Sequence, residues 1–276
     1  MRNLAMSNQL SAKTINIHDF DLHYYTVGNP DNPALILIHP AFGDHQCFAQ
    51  QIDSFAKLHY VILIDLPGHG RSQPSKALIG IERTPEYLAA ILQNENQAQA
   101  HVLGVSLGSL IAQEFAYRYP HLVASVTVVG GYSIFGDQRA VMRAQRKEML
   151  KWMFMVLFSI ERFRRYVAKI SVFYSAGQEL FYQRMQFFSR SSFRLMSKLN
   201  QIMHPNEVAP QQKLLVLVGE HDQPIALQAA REWQQQQPTI DYHVLPNAGH
   251  CANMDNPTLF NQLVLDFLHS APKPHN

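Results

Sequence analysis

Six short, nearly unbroken apolar runs constrain this chain more than anything else in it. They are Ala34 to Ile38 (ALILI), Tyr60 to Ile64 (YVILI), His101 to Leu103, Val123 to Val129, Leu214 to Val218 (LLVLV) and Tyr242 to Leu245. Runs of this kind suit strands buried on both faces of a parallel sheet. Between them lie stretches of helical character: Cys47 to Phe55, Pro85 to Leu92, Ser109 to Arg118, Ile225 to Gln236 and Pro257 to His269. Ahead of them, Thr14 to Ile17 and Leu22 to Val27 alternate apolar and polar residues and end at Gly28-Asn29-Pro30, the pattern of a strand pair with turn residues. The order predicts an α/β fold with a mostly parallel central sheet flanked by helices.

The rhythm breaks in the middle. Between residues 133 and 203 there are 13 Lys or Arg against 4 Asp or Glu, whereas the rest of the chain carries 10 against 17. The same segment holds 13 of the 29 aromatic residues and 7 of the 10 methionines. Its apolar residues recur at helical spacing, as in Met149, Trp152, Met153, Leu157 and Ile160. Three or four amphipathic helices are expected there, a helical cap (133–203) inserted into a core domain made of 1–132 and 204–276.

Composition excludes several classes. With 47 % hydrophobic and 16 % charged residues, 276 residues bury a sizeable core and are not a disordered or low-complexity chain. Two cysteines, Cys47 and Cys251, make neither a disulfide framework nor a Cys-based zinc site. The stretch Met1 to Lys13 is polar, and the longest central apolar run, Trp152 to Ile160, is far short of the roughly 20 residues of a membrane span. A soluble, cytoplasmic protein without a nucleic-acid partner is expected.

In open α/β sheets, ligands bind beyond the carboxyl ends of the strands. Gly104-Val105-Ser106-Leu107-Gly108 lies there, a G-x-S-x-G between a strand and an apolar helix. The glycines permit a sharp turn that exposes the Ser106 hydroxyl at a helix N-terminus. A plain strand-to-helix turn is the alternative reading. A hydroxyl needs a base. Asn247-Ala248-Gly249-His250 follows the last strand, which places His250 over the sheet edge. His39 and His69 also follow strands and read as loop-stabilising residues; His18, His23, His45, His59 and His121 read as surface or edge residues. The base needs an orienting carboxylate. Gly219-Glu220-His221-Asp222 follows LLVLV and offers Asp222, with Glu220 as competitor and an N-cap role as the alternative for Asp222. No H-E-x-x-H or clustered ligand set appears, so neither a metal nor a cofactor is expected.

Five motifs in order, ALILIHPAFGD with His39, DLPGHGRS from Asp65 to Ser72, GVSLG around Ser106, GEHD ending at Asp222 and NAGH ending at His250, resemble the α/β-hydrolase superfamily. The resemblance runs from about Phe20 to Leu268 and is closest to cap-bearing, esterase-like members. It implies Ser106 as nucleophile, His250 as general base and Asp222 as its partner, in the chain order of that architecture. The oxyanion hole implied is the backbone N–H groups of Ala41 and Leu107. This chain departs from the family's usual His-Gly with His39-Pro40, and proline has no N–H to donate. Ser109 stands where a glycine is common.

The implied function is hydrolysis of carboxylic esters with small to medium apolar acyl groups. Alternatives on the same triad are a carbon–carbon bond hydrolase or a lactonase; a non-enzymatic ligand receptor is the alternative outside catalysis. The strongly basic cap argues against a peptidase that holds a substrate amine. Phe42, Trp152 and Phe158 are the pocket candidates, with Phe135, Phe154, Phe173, Phe181, Phe187 and Phe188 either lining it or burying the cap. Arg139, Arg143, Arg146, Lys147, Arg162, Arg164 and Arg165 read first as a solvated basic face. Peripheral contact with an anionic membrane is the alternative.

Overall fold

β1 (Ser11–Ile17) and β2 (Phe20–Val27) are antiparallel and joined through His18 and Asp19, both at positive φ (+54° and +59°), the backbone of a tight two-residue hairpin. The apolar runs become β3 (Ala34–Ile38), β4 (Tyr60–Ile64), β5 (Ala100–Val105), β6 (Val123–Val129), β7 (Lys213–Gly219) and β8 (Asp241–Leu245). In this computed structural model, which describes residues 9–73, 79–137, 139–196 and 198–271, they form one sheet ordered β1-β2-β4-β3-β5-β6-β7-β8. Every neighbouring pair from β4 to β8 is parallel, and β2 pairs antiparallel with β4. Residues 1–8, part of the polar leading stretch, and the side chain of Arg146 lie outside the described residues.

Successive strand residues point to opposite faces, and both faces are covered. Ile36, Ile38, Ile62, Val102, Val128 and Val216 pack with α2 (Thr84–Asn94), α3 (Leu107–Arg118) and α8 (Pro224–Gln236). Leu35, Leu37, Leu63, Leu103, Val129 and Leu217 pack on the other side with α1 (Ala49–Phe55) and α10 (Pro257–Ser270). This double burial is why the central strands lack alternation.

Between β6 and β7 the chain leaves the sheet for α4 (Arg139–Phe158), α5 (Ile160–Ser171), α6 (Ser175–Arg184) and the short α7 (Ser192–Leu195). Its departure and return are stitched together: Phe135 bridges His204, and the His204 N–H donates to the Ile134 carbonyl at 2.8 Å. The residues whose helical spacing marked this segment, Met149, Trp152, Met153, Leu157 and Ile160, do not share one face. Ile160 begins α5, Trp152 and the buried Val156 face inward, and Met149, Met153 and Leu157 are exposed. α4 is apolar on both faces, so helical spacing alone does not say which one turns inward. Among the described residues, no helix is long and apolar enough to cross a membrane.

Candidate active site

β5 ends in the turn that carries Ser106, whose φ of 53° and ψ of −115° are a strained conformation for a residue with a side chain. Sterics enforce that turn. A methyl group on Gly104 would sit 2.1 Å from the Gly108 carbonyl oxygen, and one on Gly108 would sit 2.1 Å from the Ile38 carbonyl oxygen. The two glycines therefore let α3 start directly against the end of β3. The Ser106 N–H donates to the Val129 carbonyl at 2.8 Å, and the Ser109 hydroxyl donates to the Ser106 carbonyl at 2.6 Å. Ser109 thus fastens the turn.

Three strand ends converge on this hydroxyl. The Ser106 Oγ lies 2.7 Å from His250 Nε2, and His250 Nδ1 lies 2.8 Å from Asp222 Oδ1. Asp222 is buried and His250 partly so. With a carboxylate at Nδ1, that nitrogen carries the proton and Nε2 is left to accept from Ser106. Burial disfavours the imidazolium, but the charge of Asp222 and its hydrogen bond outweigh burial and hold the pKa above the ordinary 6.5. Gly130, at φ +58°, closes the other side, where a methyl group would sit 2.7 Å from the His250 carbonyl oxygen. Glu220, the competing carboxylate, is exposed and accepts instead from the Asn247 N–H at 3.1 Å. The residue capping α8 is Gln223, so Asp222 does not serve as its N-cap.

The loop after β3, which carries Ala41, begins beside the start of α3, where Gly108 meets the Ile38 and His39 carbonyls. Leu107 is the first residue of that helix, where backbone N–H groups have no intrahelical acceptor. His39 braces the loop: its Nε2 accepts from the Leu66 N–H at 3.0 Å and its Nδ1 donates to the Pro40 carbonyl at 2.7 Å. Burial pulls its pKa down to about 4, so it stays neutral. His69 lies beside it, with ring centroids 5.2 Å apart, and donates to the Pro67 carbonyl.

Phe42, at φ +73°, projects into a nest of rings. Trp152, Phe163 and Phe188 meet it edge-to-face at 5.3, 5.0 and 4.9 Å, and Phe193 lies at 6.0 Å. Two of the three pocket candidates, Phe42 and Trp152, are therefore together. Phe158 is not with them: it is exposed and its ring partner is Phe154, because it follows the outer face of α4. That expectation is corrected, and Phe154 and Phe187 are exposed likewise. Phe163 and Phe193 were not anticipated. The periodicity of Phe163, Val167 and Ala168, all buried on α5, is the signal that marks Phe163 as inward-facing.

Sequence reasoning also missed two anchors. His45, read as a surface residue, is buried; its backbone N–H and its Nδ1 both lie 2.9 Å from Asp65 Oδ1, and its ring stacks on Tyr25 at 3.6 Å. His59 is buried too. Asp255 accepts the N–H groups of Gly249, Phe173 and Tyr174, tying the His250 loop to the inserted helices. Phe173 also stacks on His221 at 4.2 Å, so the insertion touches the loops of both His250 and Asp222. Among the described residues, no group of three or more His, Cys, Asp or Glu side chains is placed to hold a metal ion.

Residues 33–257 match a family described as alpha/beta hydrolase fold. A 2-hydroxy-6-oxononadienedioate/2-hydroxy-6-oxononatrienedioate hydrolase from a Pseudomonas species is 25 % identical over 287 residues, spanning 96 % of this chain and 99 % of that protein. Among solved structures, a putative lipase from Acinetobacter baumannii superposes with a TM-score of 0.78 at 22 % identity, covering 95 % of this chain and 91 % of its own. Carboxylesterase CesB from Bacillus subtilis gives 0.69 at 20 % identity, covering 95 % and 92 %. At these identities the two structures speak for the fold.

Proposed function

The chain belongs to the α/β hydrolase fold family and is an enzyme of the hydrolase class, and from that premise we propose that it is a serine hydrolase cleaving carboxylic esters of small to medium apolar acyl groups. The observation that carries this reading is the hydrogen-bonded chain from Ser106 Oγ through His250 to Asp222 at the strand ends. Ser106 Oγ attacks the ester carbonyl carbon while His250 Nε2 takes its proton. The Leu107 and Ala41 N–H groups receive the oxyanion; removing one such donor typically costs about 3–4 kcal/mol of barrier. The imidazolium returns the proton to the departing alcohol, leaving an acyl-serine. Water, deprotonated by the same His250, attacks the acyl carbon, and Ser106 leaves with the proton restored as the acid is freed.

Residues 133–203 act as a cap that shapes the acyl site. The rings gathered on Phe42, one residue from Ala41, support an apolar acyl group, as does the engagement of Arg164, which donates to the carbonyls of Gln186 and Phe188. The free, buried thiols of Cys47 and Cys251 suit a cytoplasmic setting. A second reading, hydrolysis of a carbon–carbon bond on the same triad, is favoured by one observation, the full-length sequence relative that acts on a dienedioate. Hydrolysis of a chain-length series of p-nitrophenyl esters, wild type beside Ser106→Ala, tests the proposal. A Ser106-dependent rate with a chain-length optimum supports ester hydrolysis. No turnover on any ester by a protein whose Ser106 still reacts with a phosphonate moves the reading to carbon–carbon cleavage.

A further inference from the structure

Half of the large apolar side chains that stand exposed among the described residues lie in one ten-residue stretch at the end of α4. Met149 is 55 % exposed, Leu150 62 %, Met153 63 %, Phe154 64 %, Leu157 71 % and Phe158 67 %. They form one surface: residues three, four and seven apart share a helix face, and the Phe154 and Phe158 rings touch at 4.7 Å. This face is opposite the one by which Trp152 and Val156 pack inward. Soluble surfaces scatter such side chains; a contiguous patch marks an interaction site.

What covers it is indicated by charge. Arg139 and Arg143, both exposed, precede Leu150 and Leu157 on the same face at intervals of four and seven, and exposed Lys147 and Lys151 border it. Exposed Arg162, Arg165 and Lys169 follow on α5. The whole insertion carries 13 cationic against 4 anionic side chains, and the remainder 10 against 17. A second copy of this chain would bring two such cationic faces together, which is unfavourable. A bilayer with anionic headgroups offers hydrocarbon for the apolar half and negative charge for the rim. It also repels the acidic body, so the field turns the insertion toward the membrane.

We propose that α4 docks this protein peripherally on an anionic lipid surface, laying Leu150, Met153, Phe154 and Leu157 into the headgroup boundary with the bordering Lys and Arg side chains on the phosphates. The helix lies on the bilayer and does not cross it. The docking holds whether or not the ester reading is right, because lipid binding is measured without turnover.

The test is flotation of the full-length protein with vesicles of phosphatidylcholine containing one-third phosphatidylglycerol, and with phosphatidylcholine alone. The wild type floats with the anionic vesicles, far less with the neutral ones, and less as salt rises. Met153→Asp with Leu157→Asp weakens partitioning about tenfold or more through lost apolar burial. Arg143→Glu with Lys147→Glu weakens it to a similar degree, about tenfold, through lost attraction. Both pairs change exposed side chains, so melting temperatures stay at the wild-type value; should the first pair unfold, Leu150→Gln takes its place, and should the second, Arg143→Gln does. A wild type that remains with the buffer, or variants that bind as it does, would overturn the proposal. So would a wild-type dimer in sedimentation velocity that Met153→Asp with Leu157→Asp converts to monomer, since a second copy would then be the occupant.

Discussion

Burial lowers the pKa of both His39 and His250, and only at His250 does a partner outweigh it. As the proposed base, His250 accepts a proton from Ser106 only when neutral, so kcat/KM should climb with pH along a limb whose midpoint lies above 6.5. Asp222→Asn removes the charge that raises this pKa, so the limb should move to lower pH while the rate on its plateau falls about 10⁴-fold, the order seen when a triad carboxylate is replaced by an amide. A pH–rate profile of both proteins checks the two signs together. Asp65 gives a second prediction. Burial raises its pKa, but the His45 hydrogen bond and charge with further partners pull it down to about 2 from 3.8. A depressed carboxyl stabilises the fold above 3.8 and loses that contribution as pH falls toward 2. Asp65→Ala leaves the N–H groups of His45 and Arg71 without their acceptor, at about 1–3 kcal/mol per orphaned donor, and denaturant melts across pH should show the loss at pH 7 and its shrinkage below pH 4. Ser106, Asp222 and His250 were legible because each sits in a short motif at a strand end. His45 was not, because nothing local says that a histidine in a helical turn will be covered by Tyr25 of β2.

At the scale of elements, the sheet was readable because burial on both faces leaves a continuous apolar run. Strand ends were less so: β1 begins at Ser11, before Thr14, and β5 spans Ala100–Val105, beyond His101 to Leu103. Polar strand residues such as Ser11 have no apolar signature, and Gly104 and Val105 read as part of the turn. Helix faces in the insertion were the least legible. Periodicity finds a stripe on α4, but which stripe turns inward depends on where Phe42 and Phe163 stand. The approach of α3 to β3 makes the strongest prediction here. Gly108→Ala forces a methyl group against the Ile38 carbonyl oxygen, costing about 1–3 kcal/mol or more of overpacking. Because relief comes by moving the start of α3, with Leu107, off the end of β3, kcat should fall along with the melting temperature. A variant with the lower melting temperature and unaltered kcat would separate the glycine from the oxyanion site proposed at Leu107 and Ala41.

For the molecule as a whole, the contacts that hold the insertion include the Phe135–His204 bridge, the Asp255 carboxylate and the aromatic nest on Phe42. His204 also pairs with the buried Glu114 of α3 at 2.6 Å and stacks near Tyr117 at 4.2 Å. His204→Ala leaves Glu114 buried without that partner and loosens the return of the chain to the sheet. Trypsin should then cut within residues 139–203 sooner than in the wild type, while the sheet core survives; mass spectrometry of the early fragments decides. The charge division between insertion and body was plain in composition, whereas the exposed apolar face of α4 was not, since it appears only once Trp152 has an inward partner. An activated Ser106 is common to the ester, lactone and carbon–carbon readings. Exposure to a fluorophosphonate at mildly alkaline pH, followed by peptide mass mapping, tests that across every hydrolytic reading. The predicted result is one adduct on Ser106, slowed by at least about 10³-fold in His250→Ala. An adduct elsewhere, or equal labelling without His250, would contradict it.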